Sequence, residues 1–132
     1  MDLPWFAGSG TFASYRFCDV VREIGESQAQ FLPVAIERDG LDDSQVYASY
    51  SVINWLREVD CLHPDLAGFG THPRYGFKMA QHCVLDESRI PKDAIIFRPS
   101  FYASVVVVRE DFLEKLSSHG ITGWDTMGIE IG

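Results

Sequence analysis

Positive charge is scarce in this chain. Eleven Lys and Arg residues stand against nineteen Asp and Glu, a formal charge of −8. Such a surface repels a phosphate backbone unless cations are locally concentrated, and no Lys/Arg cluster with interleaved aromatics stands out, so no nucleic-acid partner is expected. A positively charged partner is steered in by the same field. Long apolar runs are also missing: no stretch approaches the ~20 residues of a membrane span. The opening MDLPWFAGSGTF has neither the basic start nor the unbroken apolar core of a secretory signal. Both absences predict a cytoplasmic protein with no membrane partner. Cysteine is sparse as well, and Cys18, Cys61 and Cys83 are odd in number and widely spaced. That argues against a disulfide framework and leaves three reduced thiols, each by default a small, half-buried hydrophobe.

What is present fits one folded domain spanning residues 1–132. The composition is 46% hydrophobic and 23% charged, close to an ordinary globular protein, and the length is enough for a single core. Phe17, Val20, Val21 and Ile24 recur at helical spacing, with Ser14 as N-cap and Gly25 as the stop. FLPVAIE reads as a strand, RDGLDDS as an acidic turn-rich loop, and VYASYSVINWLREV as extended. From Pro64 to Pro73 glycines and prolines forbid a long regular element, and the loop is expected to run on through RYGFKMAQ. AIIFRP and FYASVVVV read as a hairpin broken at Pro99 and Ser100, EDFLEKLSSHG as a helix stopped by Gly120, and TGWDTMGIEI as a bent strand.

The two ends share a plan. A shift that carries Phe17 onto Phe112 also carries Val21 onto Leu116, Gly25 onto Gly120, Val34 onto Ile129 and Ile36 onto Ile131. This internal pseudo-repeat is a scaffold feature, since no catalytic group recurs in it. The expected fold is therefore α+β, a mostly antiparallel sheet with a helix near each end.

Candidate chemistry concentrates in INWLREVDCLHPDLAGFGTHP, where Asp60, Cys61, His63, Asp65 and His72 crowd together, with His82 and Cys83 shortly after. Structural zinc calls for paired ligands such as C-x₂-C; Cys61-x-His63 and the adjacent His82-Cys83 do not supply them, and no metal or other cofactor is expected. Cysteine catalysis would cast Cys61, His63 and Asn54 as thiol, base and orienting amide, an awkward arrangement for near neighbours on one strand. GFGTHPRYG lacks the full spacing of a phosphate loop and reads as a flexible surface loop. His119 suits the negative end of a helix, and Arg98, set between Phe97 and Pro99, calls for a carboxylate partner.

INWLREVDCLHPD, followed by VLDESRIPKDAIIFRPSFYASVVVVREDFLEKLSSHGITGW, resembles immunity-protein family eleven of bacterial polymorphic toxin systems. The likeness is carried by Asp60, Cys61 and Leu62, by Ile90, Ile96, Phe97 and Arg98, by Thr122 and Gly123, and by the strand in SQAQFLPVAIE. Two residues depart from the pattern. His63 stands where an acid is common, and Arg109 where a serine caps the second helix, a role that Asp111 is expected to take over. The resemblance implies a non-enzymatic protein that binds and neutralises a cognate toxin, of the kind delivered by contact-dependent or type VI secretion. The alternative from another class is a small thiol- or zinc-dependent enzyme using the region of Cys61, His63 and His72.

For a basic toxin the expected contact is acidic. Asp39, Asp42 and Asp43 in one loop and Asp60, His63 and Asp65 in another are the expected partner-binding residues, brought to one side by the strand ends.

Overall fold

The computed structural model describes residues 5–7, 10–24, 29–36, 47–102, 105–124 and 128–132. Gly25 and the acidic loop with Asp39, Asp42 and Asp43 lie outside these residues. The fold is α+β and predominantly antiparallel, as the sequence pattern predicts, but the pairing among the described residues is divided among four small sheets.

The largest sheet is built from β1 (Trp5–Ala7), β2 (Gly10–Ser14), β3 (Ala29–Ile36) and β4 (Tyr47–Trp55), in the order β1-β2-β4-β3 and antiparallel throughout. β3 lies at an edge of this order, the position where a strand tolerates Pro33, which has no N–H to give a ladder. On β4, Ser51, Ile53 and Trp55 are buried while Val52 and Asn54 are only partly covered, the alternation of a strand with one face on a core.

Helix α1 (Tyr15–Glu23) covers that face. Its N-cap is Ser14, whose hydroxyl accepts from the Phe17 N–H at 3.1 Å, and Phe17, Cys18, Val20 and Val21 are its buried stripe. Helix α2 (Glu110–Ser118) meets it through Phe112, set edge-on to Phe17 with ring centroids 6.2 Å apart. Glu23 of α1 pairs with Lys115 at 3.7 Å and with His119 at 3.3 Å, so His119 serves as an inter-helix partner as well as a helix end. Gly120, at φ 68°, supplies the left-handed stop, and the Ile121 N–H returns to the Leu116 carbonyl at 3.1 Å. The N-terminus of α2 departs from expectation. Arg109 occupies the cap with no side-chain capping bond, and its guanidinium instead engages the carboxylate of Asp111 in the first turn at 2.6 and 2.8 Å.

A second sheet follows the order β10-β9-β5, from β5 (Glu58–Val59), β9 (Ile96–Pro99) and β10 (Val107–Val108); β9 is antiparallel to β10 and parallel to β5. The hairpin expected from AIIFRP and FYASVVVV is thus an antiparallel pair, but residues 100–106 connect it in place of a tight turn. Arg98 has the predicted carboxylate, Glu58 at 3.8 Å, and its Nε donates to the Trp55 carbonyl at 2.8 Å.

Alternation along β9 divides the interior. Ile96 joins Ala13, Phe17, Val21, Ile53, Trp55, Phe112 and Leu116 in one apolar cluster, whereas Phe97 joins Cys61, Leu62, Ala67, Ala80, Leu85 and Val107 in another. Where one core is expected there are two clusters, served by neighbouring residues of one strand. Burying a large apolar side chain contributes roughly 1.5–3 kcal/mol.

The remaining pairs are short. β6 (Phe69–Thr71) and β7 (Lys78–Ala80) form an antiparallel hairpin, and β8 (Val84–Leu85) runs parallel to β11 (Glu130–Ile131). Among the described residues both ends follow strand, helix and strand, but β3 pairs antiparallel with β4 while β11 pairs parallel with β8. No helix among the described residues is long and apolar enough to cross a membrane.

Candidate functional site

The segment singled out by its acids, cysteine and histidines is a turn-building segment. Leu62 bridges Leu85, and on either side of it the Cys61 carbonyl accepts from the Asp86 N–H at 2.8 Å and the His63 N–H donates to the Val84 carbonyl at 2.7 Å. Cys61 is fully buried, and burial, with Cys83 and Asp60 adding to it, pushes its thiol up to about 11. That is opposite to what a nucleophile needs. Asn54, the would-be orienting amide, donates to the Gln30 side chain at 3.3 Å.

His63 is a cap. Its Nδ1 accepts from the backbone N–H groups of Asp65 and Leu66 at 3.2 and 3.3 Å, and its carbonyl accepts from the Ala67 N–H at 3.1 Å. His72 repeats the pattern: Nδ1 accepts from Arg74 and Tyr75 at 3.1 and 3.0 Å, and the carbonyl accepts from the Gly76 N–H at 2.9 Å. Each histidine precedes a proline, which presets the first turn position and has no N–H needing a partner. In each ring Nδ1 is committed to the turn that it closes. Among the described residues no group of three or more His, Cys, Asp or Glu side chains is placed to hold a metal.

The expected acidic contact is described in part. Asp60 is exposed and lies 3.7 Å from Arg89, a loose surface pair, and Asp65 is exposed on the His63 turn. Nearby, Asp86 accepts from the Ser88 hydroxyl at 2.6 Å, and chiefly for that reason its carboxyl is held below the usual range.

The most prominent surface is one that reading by residue type passes over. RYGFKMAQ does not continue as an irregular loop: the His72 turn reverses the chain and zips β6 to β7, with Phe69 opposite Ala80 and Thr71 opposite Lys78. The His72 N–H donates to the Phe77 carbonyl at 2.8 Å, and Gly76 takes φ 71°, which a Cβ would disfavour. The hairpin tip carries three nearly parallel rings. His72 lies 5.0 Å from Tyr75 and 4.7 Å from Phe77, yet Tyr75 and Phe77 remain 68% and 54% exposed.

Cations sit on this aromatic surface. The Arg74 guanidinium lies 5.4 Å from the Tyr75 ring centre, and the Lys78 ammonium lies 4.5 Å from both Phe69 and Phe101. Phe101 adopts φ 67°, an uncommon conformation for a bulky residue, and its carbonyl accepts from the Ala80 N–H at 2.9 Å. Glu58, Lys78, Phe101 and Tyr102 line an open trough beside β7. Two cations thus lie among aromatic rings on this one surface. Its sequence signal is the absence of any Asp or Glu from Leu66 to Leu85 in a chain otherwise rich in both. No protein-family model matches the chain, and no curated protein matches it.

Proposed function

We propose that this chain is a cytoplasmic immunity protein that binds a cognate bacterial toxin and neutralises it by occupying its surface, without chemistry of its own. The observation that carries the reading is the exposed, pre-stacked group of His72, Tyr75 and Phe77 on a capped hairpin. Aromatic and Arg side chains held rigidly at a surface lose little entropy on binding and supply most hot-spot energy in protein interfaces. The resemblance of the sequence to immunity proteins points to a toxin as the partner, and the acid surplus suits a basic one. Against the thiol-enzyme alternative stand the protonated, buried Cys61 and the engagement of Asn54 with Gln30 and of His63 Nδ1 with its own turn.

The test is protection. The secreted or Rhs-like toxin encoded beside this chain is expressed in bacterial cytoplasm with and without it, and growth is followed. Growth should be restored by the chain and by Cys61→Ala, and lost with the double change Tyr75→Ala and Phe77→Ala. Stoichiometric zinc in the purified protein, together with loss of protection in Cys61→Ala, would turn the reading to the enzyme. A metabolic operon in place of a toxin gene would also overturn it.

A further inference from the structure

In a chain with surplus acid, most cations find a carboxylate. Arg22, Arg57, Arg89, Arg98, Arg109 and Lys115 each have one within 3.8 Å. Arg74, Lys78 and Lys92 have none among the described residues, and the first two stand together on the aromatic hairpin. From the Tyr75 ring and from between Phe69 and Phe101, they are held by aromatic faces instead.

A guanidinium 5.4 Å from a ring centre keeps N–H donors for a carboxylate, since the ring accepts none of them in a hydrogen bond, and an ammonium above two rings keeps donors on its outer side. The ring contacts hold the cations in place only weakly in exposed positions, whereas hydrogen bonds to charged groups are stronger. The incoming anion would thus gain more than the rings lose. We propose that the β6–β7 hairpin docks a carboxylate-bearing aromatic or apolar segment of a partner protein, with Arg74 and Lys78 receiving the carboxylates and Tyr75 and Phe77 covering the apolar side chains.

Local and global charge divide the task. The field of the whole chain at −8 attracts a partner that is basic overall, while the acid-free hairpin selects the one place on it that is acidic and aromatic. A cationic segment would meet Arg74 and Lys78 head-on. A single-stranded nucleic acid finds rings to stack on but only two cations here, with Glu58 in the adjoining trough, and strong binding of that class rests on a basic groove along several phosphates.

This proposal rests on the reading of the chain as a partner-binding protein, but its test needs no toxin. The isotope-labelled protein is titrated with acetyl-Glu-Trp-Asp-Phe-Glu-amide, with the isosteric Gln-Trp-Asn-Phe-Gln peptide, with a Lys-Trp-Lys-Phe-Lys peptide and with an oligothymidine of eight nucleotides, following backbone amides and the Arg74 Nε–H. The acidic peptide should shift residues 72–80 and bind at least fivefold more tightly than its amide counterpart. The double variant Arg74→Gln and Lys78→Gln should abolish that preference while leaving the rest of the spectrum and the weak binding of the amide peptide in place. Equal binding of the acidic and amide peptides, preference for the lysine peptide or the oligonucleotide, or shifts remote from the hairpin would each overturn the proposal. Loss of toxin protection alongside intact acidic-peptide binding would count against the immunity reading alone; protection with no acidic preference would count against this proposal alone.

Discussion

Replacing His72 by alanine separates a turn cap from a reactive imidazole. The change removes the acceptor for two backbone N–H groups, at 3.1 and 3.0 Å, and a ring stacked at 4.7 and 5.0 Å on Phe77 and Tyr75. A hydrogen bond contributes roughly 0.5–1.5 kcal/mol net, and these are exposed, so the lower half of that range applies to each; an aromatic pair adds about 0.5 kcal/mol. The sum, about 1.5–2.5 kcal/mol, falls on the hairpin rather than on the buried clusters, because none of Arg74, Tyr75 or Phe77 belongs to either cluster. Since about 1.4 kcal/mol is tenfold in an equilibrium constant, amide exchange at residue 72 and Gly76 should quicken by roughly ten- to seventyfold, with the thermal midpoint nearly unchanged. His72→Asn, whose side-chain oxygen can accept from the same N–H groups, should recover much of the protection. His63→Ala should behave differently and lower the midpoint, since its turn lies between the buried Leu62 and Ala67. If His72→Ala and His72→Asn exchange alike, Nδ1 is not the cap and the reasoning fails.

Four other outcomes follow from separate parts of the molecule. Phe97→Ala, at a side chain 2% exposed, should lower stability by about 3–5 kcal/mol in a urea titration; less than about 1 kcal/mol would mean that the second cluster is not a core. Gly120→Ala, at φ 68° with no atom within 4 Å of the added Cβ, should cost about 1–2 kcal/mol from backbone conformation alone, and a neutral result would deny that conformation. Folding holds the Cys61 thiol up at about 11, so its contribution is complete below the ordinary thiol range near 9 and is lost as pH rises through 11; stability should fall over that window, and less steeply in Cys61→Ala. Reversing Asp42, Asp43 and Asp65 to lysine should weaken toxin binding and flatten its salt dependence with little change in thermal midpoint, and unchanged affinity at low and high salt would place the contact elsewhere.

Periodic signals proved legible wherever a local pattern alone determines the structure. Phe17, Val20 and Val21 form a stripe that only a helix gathers, Ser14 caps it by its own hydroxyl, and Gly120 stops α2 by backbone freedom. Arg98 could be assigned a carboxylate because a guanidinium among apolar neighbours needs one. Pairing partners were not legible, since β5 and β9 join across a long stretch of chain and nothing local to either names the other. The pairing of Arg109 with Asp111, two residues away at 2.6 Å, was not foreseen, since nothing in the residue types alone directs that guanidinium to that carboxylate. His63 and His72 look like metal or proton-transfer groups by type alone; the proline after each, and the N–H groups two and three residues on, make them caps. In the hairpin, Gly70, Pro73 and Gly76 signalled a loop, and that signal masked the rings and cations carried between them.

The side chains at the tip of the hairpin belong to neither buried cluster. Arg74, Tyr75 and Phe77 project from a turn closed by His72 and Gly76, while Ala67 and Ala80, one near each end, are buried and anchor it below. Substitutions at the tip can therefore accumulate without eroding the fold. A lineage confronted with altered partners could exchange these positions one at a time, each intermediate still folded and abundant, so that new specificities are reached by gradual drift at a few sites rather than by rebuilding the scaffold.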